Sequence, residues 1–199
     1  MYKQFYIFFI IVSFCGQCAQ GDWSQLQGDK QSGISDETNL ARQWPKEGPE
    51  LLWAIDVNNG FGGATIKGND LYFMDRSDDD EDLLRCINFT TGIEKFRYAH
   101  KTSGSVGYDG SRSSVTIGES RVYGVGEFGN VYAVNRKTGK LDWLIDLQKD
   151  YEIEPFQFGF PTSPLLYKDS LIITPRSSKT CVIAVSPLTG KLLWQSIPV

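Results

Sequence analysis

The chain contains little of what several classes of enzyme and metalloprotein require. It has 199 residues with one histidine, His100, and four cysteines, none adjacent to another. One imidazole without a mapped partner gives little support for a histidine-based metal site or a nucleophilic triad. His100 follows the last predicted strand of a repeat unit, so we expect it to be a surface residue.

Long apolar runs are also scarce, and the single one present lies at the N-terminus, in residues 5–14. One positive charge, Lys3, precedes it, and the small-residue stretch Ala19-Gln20-Gly21 follows. This pattern predicts a secretory signal peptide over residues 1–21, too short to span a bilayer as a helix. No transmembrane segment is therefore expected, and the protein is expected to be exported, to the periplasm or the extracellular space. A lipid anchor on Cys18 is less favoured, because Gln17 fits a lipid-attachment motif poorly.

Positive charge and cysteine are limited in the predicted mature chain. Cleavage after residue 21 removes one of 20 basic residues and no acid, leaving 19 against 24 and a net charge of −5. Without a basic patch, nucleic acid is not an expected partner. Cys86 and Cys181 fall at non-equivalent positions of separate repeats, so we expect two buried thiols and no disulfide.

No segment shows helical periodicity over ten or more residues; a repeat is present instead. It reads LRCINFTTGIEKF at residues 84–96, YAVNRKTGKLDW at 132–143 and IAVSPLTGKLLW at 183–194. The Thr-Gly pairs lie 47 and 51 residues apart, and a period of this size is typical of propeller blades. Each copy is an apolar run, a turn whose Gly supplies a positive φ, and a second run closed by an aromatic residue. We expect Phe96, Trp143 and Trp194 to wedge between neighbouring sheets.

A second hairpin precedes each copy, in residues 62–72, 113–123 and 163–173. Two hairpins give four antiparallel strands, the composition of a β-propeller blade. The predicted strands are 64–66, 71–75, 83–88 and 93–98; 114–117, 121–125, 131–135 and 141–145; and 164–167, 171–174, 181–186 and 192–196. Residues 51–55 are expected to form one extra strand, which closes a further blade.

The fold class predicted is thus all-β: a propeller of four-stranded antiparallel blades, with about three blades plus one extra strand in an incomplete ring. Three blades do not close a ring of this kind, so we expect the sequence to be the N-terminal part of a longer one. Closure through self-association is the alternative. The predicted domains are the signal peptide, residues 1–21, a lead segment, 22–49, and the blades, 50–199.

The repeat resembles the pyrroloquinoline-quinone-like (quinoprotein-type) repeat, whose pattern is Ala-x-Asp-x-x-Thr-Gly-x-x-x-Trp. Residues 132–143 match it closely, with Asn135 in the Asp position; the other two copies depart further, with Ser186 and Asn88 there. The resemblance covers residues 51–199, and the lead segment also looks like that of secreted bacterial quinoprotein-type propellers. It implies the fold, but not an activity, because this superfamily contains both quinone-dependent dehydrogenases and binding or assembly proteins without a cofactor.

The resemblance also implies what a dehydrogenase of this type needs. It uses an adjacent disulfide over the quinone, a Ca²⁺ held by carboxylate and amide groups, and an Asp as general base. This chain has neither an adjacent Cys pair nor a Cys-x-x-Cys-His haem motif. Residues 75–82 carry a dense acidic cluster, for which a solvated hairpin loop is favoured over a Ca²⁺ site.

The loops entering each first strand hold the better candidate binding residues. In propellers these strands line the central channel, and two of the loops carry aromatic, charged and hydroxyl side chains. We predict ligand binding by Tyr108, Asp109, Arg112, Phe160 and Thr162, at the channel mouth. The alternative is that Asp109 and Arg112 only tie blades together.

Taken together, the sequence predicts an exported, non-catalytic propeller that binds another protein or an extended polar ligand, with no cofactor. The alternative is a quinone-dependent alcohol or sugar dehydrogenase, with quinone and Ca²⁺, whose catalytic residues lie outside this segment. A third hypothesis, a carbohydrate-binding or carbohydrate-degrading propeller, is based only on secretion and exposed aromatic residues.

Overall fold

The structure is a computed structural model that describes residues 21–104, 106–154 and 156–198. The predicted signal peptide lies outside the described residues except for Gly21, and so does Cys18. Three four-stranded antiparallel sheets follow one another along the chain. The predicted all-β fold of propeller blades is confirmed.

Each sheet is built from four consecutive strands. Blade 1 contains β1 (Thr65–Lys67), β2 (Asp70–Ser77), β3 (Glu81–Asn88) and β4 (Glu94–Lys101). Blade 2 contains β5 (Thr116–Ile117), β6 (Arg121–Val125), β7 (Asn130–Asn135) and β8 (Leu141–Asp146). Blade 3 contains β9 (Leu165–Tyr167), β10 (Ser170–Ile173), β11 (Ile183–Val185) and β12 (Leu192–Gln195). A short helix that the sequence did not predict, α1 (Leu147–Tyr151), follows β8 and is capped by the Asp146 side chain.

The turn between the third and fourth strands repeats in atomic detail. The Gly of each Thr-Gly pair has a positive φ, between 67° and 70°. Its N–H donates to the carbonyl four residues earlier, for example Gly139 to Asn135 at 2.9 Å. The register of each strand pair also shifts at one equivalent point, after Cys86, Ala133 or Ala184. The sequence repeat therefore encodes a hairpin with a fixed bulge.

The closing aromatic residue of one blade packs on the Thr-Gly turn of the next. A Cβ placed on Gly139 would lie 2.7 Å from the Phe96 ring, and one on Gly190 would lie 2.9 Å from the Trp143 ring. The predicted wedge is confirmed for these two residues. Trp194, which closes blade 3, is 48% exposed.

Residues 51–55 do not form the predicted extra strand, because no strand of the described structure pairs with them. Trp53 nevertheless takes the place of a closing aromatic residue. It lies over Gly92 of blade 1 and donates its indole N–H to the Phe89 carbonyl at 2.7 Å. The segment thus keeps the aromatic contact that a fourth strand makes with the next blade, but it does not form the backbone hydrogen bonds of a strand.

The apolar core lies between blades. One cluster of buried side chains joins blades 1 and 2 around Tyr72, Leu84 and Tyr132. A second joins blades 2 and 3 around Val131, Phe160 and Ile183. Burial of large apolar side chains between sheets is therefore what holds successive blades together.

The lead segment attaches to the innermost strands. Trp23 and Ile66 exchange two backbone hydrogen bonds, at 2.8 and 2.9 Å, and Ile117 donates to the Ser24 carbonyl at 2.7 Å. The lead thereby links β1 to β5. Within the described residues, no helix is both long and apolar enough to cross a bilayer.

Candidate functional site

Three equivalent loops, each preceding the first strand of a blade, meet at one end of the molecule. Phe61 donates its backbone N–H to the Ser111 carbonyl at 2.8 Å, which ties the first loop to the second. Gly107 donates to the Gln157 carbonyl at 2.8 Å, which ties the second loop to the third. The three loops therefore form one connected surface.

Each of these loops presents one exposed aromatic side chain. Phe61 is 61% exposed, Tyr108 is 66% exposed and Phe158 is 46% exposed. The rings of Tyr108 and Phe158 stack with centroids 6.0 Å apart and planes 23° apart. The guanidinium of Arg112 lies 4.7 Å from the centre of the Phe61 ring. We refer to Phe61, Tyr108, Arg112 and Phe158 as the aromatic patch.

Arg112 connects the two halves of the patch. Its Nη1 donates to the Gly110 carbonyl and its Nη2 to the Tyr108 carbonyl, both at 2.7 Å. Its Nη1 also lies 3.8 Å from Oε1 of Glu127. Glu127 balances the positive charge of Arg112, whose N–H donors are used by two backbone carbonyls. Arg112 therefore fixes the loop and is not a free cation at the surface.

The structure brings together three of the five predicted site residues. Tyr108, Asp109 and Arg112 lie in the same loop, and Asp109 is exposed. Phe160 is 1% exposed and packs on Gly129 inside the core between blades 2 and 3, so its side chain does not reach a ligand at the surface. Thr162 is half-buried, further along the same loop.

A buried ionic cluster supports the patch from beneath. Arg76 and Glu127 are almost fully buried, and Arg76 Nε lies 2.9 Å from Glu127 Oε2. Glu127 Oε1 accepts the backbone N–H of Gly110 at 2.7 Å, and its carbonyl accepts from Phe160 at 3.0 Å. One residue of the β6–β7 turn therefore contacts blade 1 and the loops that enter blades 2 and 3.

Asp82 is the second buried carboxylate of this cluster. It accepts the hydroxyl of Tyr132 at 2.9 Å and lies 3.3 Å from Arg76. Removal from water raises the pKa of the Asp82 and Glu127 carboxyls, and burial also raises the pKa of the Tyr132 hydroxyl. All three charged side chains are buried, and Arg76 contacts both carboxylates.

The acidic segment at residues 75–82 is not the solvated loop that the sequence predicted. β2 and β3 extend through it, leaving only residues 78–80 as the turn. Asp75 is 1% exposed and lies 3.1 Å from Arg85, while Asp82 pairs with Arg76. Arg76 and Arg85 neutralise these carboxylates. The strands can therefore continue through a segment whose charge would otherwise oppose burial.

Two further predictions need correction. His100 lies within β4, opposite Asp82, and is half-buried with its ring 5.4 Å from that of Tyr132. Of the two thiols, which are both free, Cys86 is buried as predicted, but Cys181 is only half-buried. Burial raises the pKa of the Cys86 thiol to about 11, so it is a poor nucleophile.

The predicted binding residues did not include Glu127, nor Phe61 and Phe158, although both aromatic residues lie in the loops that the sequence indicated. A signal for Glu127 was present: Arg76 and Glu127 are 51 residues apart, the same spacing as the equivalent residues Tyr72 and Tyr123. Opposite charges at one repeat position indicate a pair across the interface between blades. Tyr108 and Phe158 carried a similar signal, because they are 50 residues apart, the spacing of Ser113 and Ser163 in the equivalent hairpins. Phe61 carried none, because Arg112 stands at its position in the next repeat.

The cavities and the carboxylates of the described residues bear on the choice between a binding surface and a cofactor site. Two cavities of about 510 and 300 Å³ lie elsewhere, around α1 and beside Trp23. Among these residues there is no cluster of three His, Cys, Asp or Glu side chains placed to hold a metal ion. The buried carboxylates Asp82 and Glu127 do not fit the Ca²⁺ set of a quinone site, because both pair with Arg76.

Comparisons with solved structures show the same fold. A europium-containing methanol dehydrogenase shares 14% identity at a TM-score of 0.52, covering 74% of this chain and 27% of that one. Quinohemoprotein alcohol dehydrogenase ADHIIG from Pseudomonas putida HK5 shares 16% identity at a TM-score of 0.53, covering 72% and 21%. The computationally designed Ika4 protein shares 15% identity at a TM-score of 0.51, covering 75% and 79%. The chain thus spans only about a quarter of the length of the dehydrogenases that it matches.

Comparisons of sequence identify the family. No curated protein matches the chain. A family model described as outer membrane protein assembly factor BamB matches residues 34–155, which is more than half of the chain. Together with the Thr-Gly-aromatic repeat and the three blades, this match shows that the chain belongs to the BamB family of pyrroloquinoline-quinone-like repeat propellers.

Proposed function

We propose that the protein is an exported, non-catalytic propeller that binds another protein, as a scaffold in outer membrane protein assembly. The observation that carries the proposal is the aromatic patch, in which three equivalent loops each expose one ring on a connected surface. Exposed aromatic residues are enriched in protein interfaces because they bury a large area at a small cost in side-chain entropy.

The support beneath the patch favours binding over chemistry. Arg76 and Arg112 contact the buried carboxylates of Asp82 and Glu127, and Glu127 holds the Gly110 N–H, so the surface is rigid before a partner arrives. A preorganised surface loses little conformational entropy on binding. The family description, outer membrane protein assembly factor, supports a protein partner and a location in the periplasm.

The proposal is tested by crosslinking and purification of the full chain from intact cells of its own organism. Tyr108→Ala combined with Phe158→Ala should remove association with the outer membrane assembly machinery. Tyr167→Ala serves as the matched control, because Tyr167 is a similarly exposed aromatic residue, 56% exposed, on β9. Mass spectrometry of the purified chain should also show an N-terminus near residue 22.

Two results would overturn the proposal. One is unchanged association of the double variant with the machinery. The other is dye-linked alcohol or sugar oxidation by the purified chain supplied with pyrroloquinoline quinone and Ca²⁺, which would favour the dehydrogenase hypothesis.

A further inference from the structure

The aromatic patch is a surface of two platforms rather than a pocket. Tyr108 and Phe158 form one platform and Phe61 forms the other, with the Arg112 guanidinium between them. Because Arg112 donates to the Tyr108 carbonyl and stacks on Phe61, the two platforms are held at a fixed separation. An occupant that uses both platforms has to extend across Arg112.

The exposed charged side chain of the Tyr108 loop is the carboxylate of Asp109. The side chain of Arg112 is only 14% exposed, and Glu127 is fully buried beneath it. Asp109 lies between Tyr108 and Gly110 and is exposed. Asp109 is also close enough to Glu127 to help raise the pKa of that carboxyl, after burial, which is the larger cause. The accessible charge beside the platforms is therefore a carboxylate, and a cation on the occupant complements it.

The backbone ties described above make this arrangement rigid. Gly62, like Phe61, donates to the Ser111 carbonyl, and Gly110 is fixed by Glu127. A Cβ on Gly110 would meet the Asn59 backbone at 2.8 Å, so the first two loops are in close contact as well as hydrogen-bonded. The platforms and the carboxylate consequently keep one spacing, as recognition of a specific side-chain pattern requires.

We infer that the patch binds an extended polypeptide segment in which aromatic side chains flank a lysine or arginine. The aromatic side chains stack on the two platforms, and the cation lies against Asp109. This inference rests on the proposed function, since it specifies the chemistry of the protein partner at the same surface.

The test uses the full chain and fluorescein-labelled ten-residue peptides, measured by fluorescence polarisation. One peptide alternates Phe and Lys, and its matched control has every Lys replaced by Glu. We expect the Lys peptide to bind at least tenfold more tightly than the Glu peptide. Tyr108→Ala and Phe158→Ala should each weaken Lys-peptide binding several-fold, while Tyr167→Ala should leave it unchanged.

A charge reversal separates the role of Asp109 from a loss of folding. In Asp109→Lys, the preference should invert, with the Glu peptide binding more tightly than the Lys peptide. A gain of binding cannot arise from an unfolded variant. Equal affinity of both peptides for the wild type, or competition by neutral oligosaccharides as effective as that by unlabelled peptide, would overturn the inference.

The outcome is distinguishable from failure of the proposed function. If the Tyr108→Ala and Phe158→Ala double variant no longer associates with the assembly machinery but the wild type shows no charge preference between the peptides, only the inferred partner chemistry is wrong. If the double variant keeps the machinery while the peptides behave as expected, the patch binds peptides but the proposed scaffold role is wrong.

Discussion

Arg76 and Glu127 occupy equivalent positions in consecutive blades and pair with each other, with Nε and Oε2 2.9 Å apart. Arg76 also donates to the side chain of Thr102 at 2.7 Å and to its carbonyl at 3.0 Å. Its guanidinium further lies 5.0 Å from the centre of the Phe128 ring. The interface between blades 1 and 2 is thus partly ionic at the loop end, whereas it is apolar further along.

Arg76→Met should strongly destabilise the protein. It leaves Asp82 and Glu127 buried without their shared cation, and breaking a buried pair in this way costs roughly 3–5 kcal/mol. Chemical denaturation measures the change in the free energy of unfolding. Adding Glu127→Gln to Arg76→Met should cost less than the sum of the single changes, because one unpaired charge is removed; a strictly additive result would contradict the pairing.

Acidification should stabilise the wild type relative to Glu127→Gln. The pKa of Glu127 is raised in the folded protein, mainly by burial, so the folded state takes up a proton at a higher pH than the unfolded state does. The stabilisation appears as the pH falls through the raised pKa and is complete below the ordinary value of about 4.3. The unfolding free energy of the wild type minus that of Glu127→Gln should therefore increase from pH 7 towards about pH 4. The increase is at most about 1.4 kcal/mol per pH unit.

Urea denaturation of both proteins across this pH range measures the effect. Glu127→Gln keeps the shape of the side chain and an acceptor for the Gly110 N–H, but it places an amide N–H where Oε2 faces Arg76. The pH dependence of the difference, and not its absolute size, therefore reports the titration. A pH-independent difference, or one that shrinks on acidification, would show that the arginines dominate the titration of this carboxyl.

The blades could be predicted from the sequence because the repeat contains the residues that determine their turns, strands and packing. Thr-Gly sets the turn, alternating apolar residues set the strands, and the closing aromatic residue sets the contact between blades. The burial of individual side chains was predicted less well, for two reasons. Residues 75–82 looked solvated because their arginine partners, Arg76 and Arg85, are recognised only once the strands are paired. Phe160 looked accessible because the direction of a loop side chain depends on tertiary packing.

Gly190→Ala should destabilise blade packing more than Gly68→Ala. Both glycines have positive φ, 70° and 59°, so each substitution carries a similar backbone cost of about 1–2 kcal/mol. Only at Gly190 does the added methyl meet a neighbour, the Trp143 ring at 2.9 Å, whereas nothing lies within 4 Å at Gly68. Denaturation midpoints of the two variants compare the costs directly. Equal losses of stability would mean that the Trp143 ring moves freely and does not wedge the blades.

Trp143→Ala should be more destabilising than Trp194→Ala, although the two residues close equivalent strands. Trp143 packs on Gly190 and donates its indole N–H to the Pro187 carbonyl at 3.0 Å, and its ring centre lies 5.9 Å from that of Tyr123 in a tilted contact. Trp194 is 48% exposed, so its removal leaves less of a cavity. Truncating a well-packed Trp costs roughly 3–5 kcal/mol, and the cost falls as packing becomes incomplete. Trp143→Phe provides the intermediate case, because it keeps most of the apolar contact, as Phe96 does in blade 1, and should lose about 1 kcal/mol with the indole hydrogen bond. Chemical denaturation of the three variants should show the largest loss of unfolding free energy for Trp143→Ala and smaller losses for Trp194→Ala and Trp143→Phe. Equal losses for the two alanine variants would show that the closing aromatic residues are not wedges between blades.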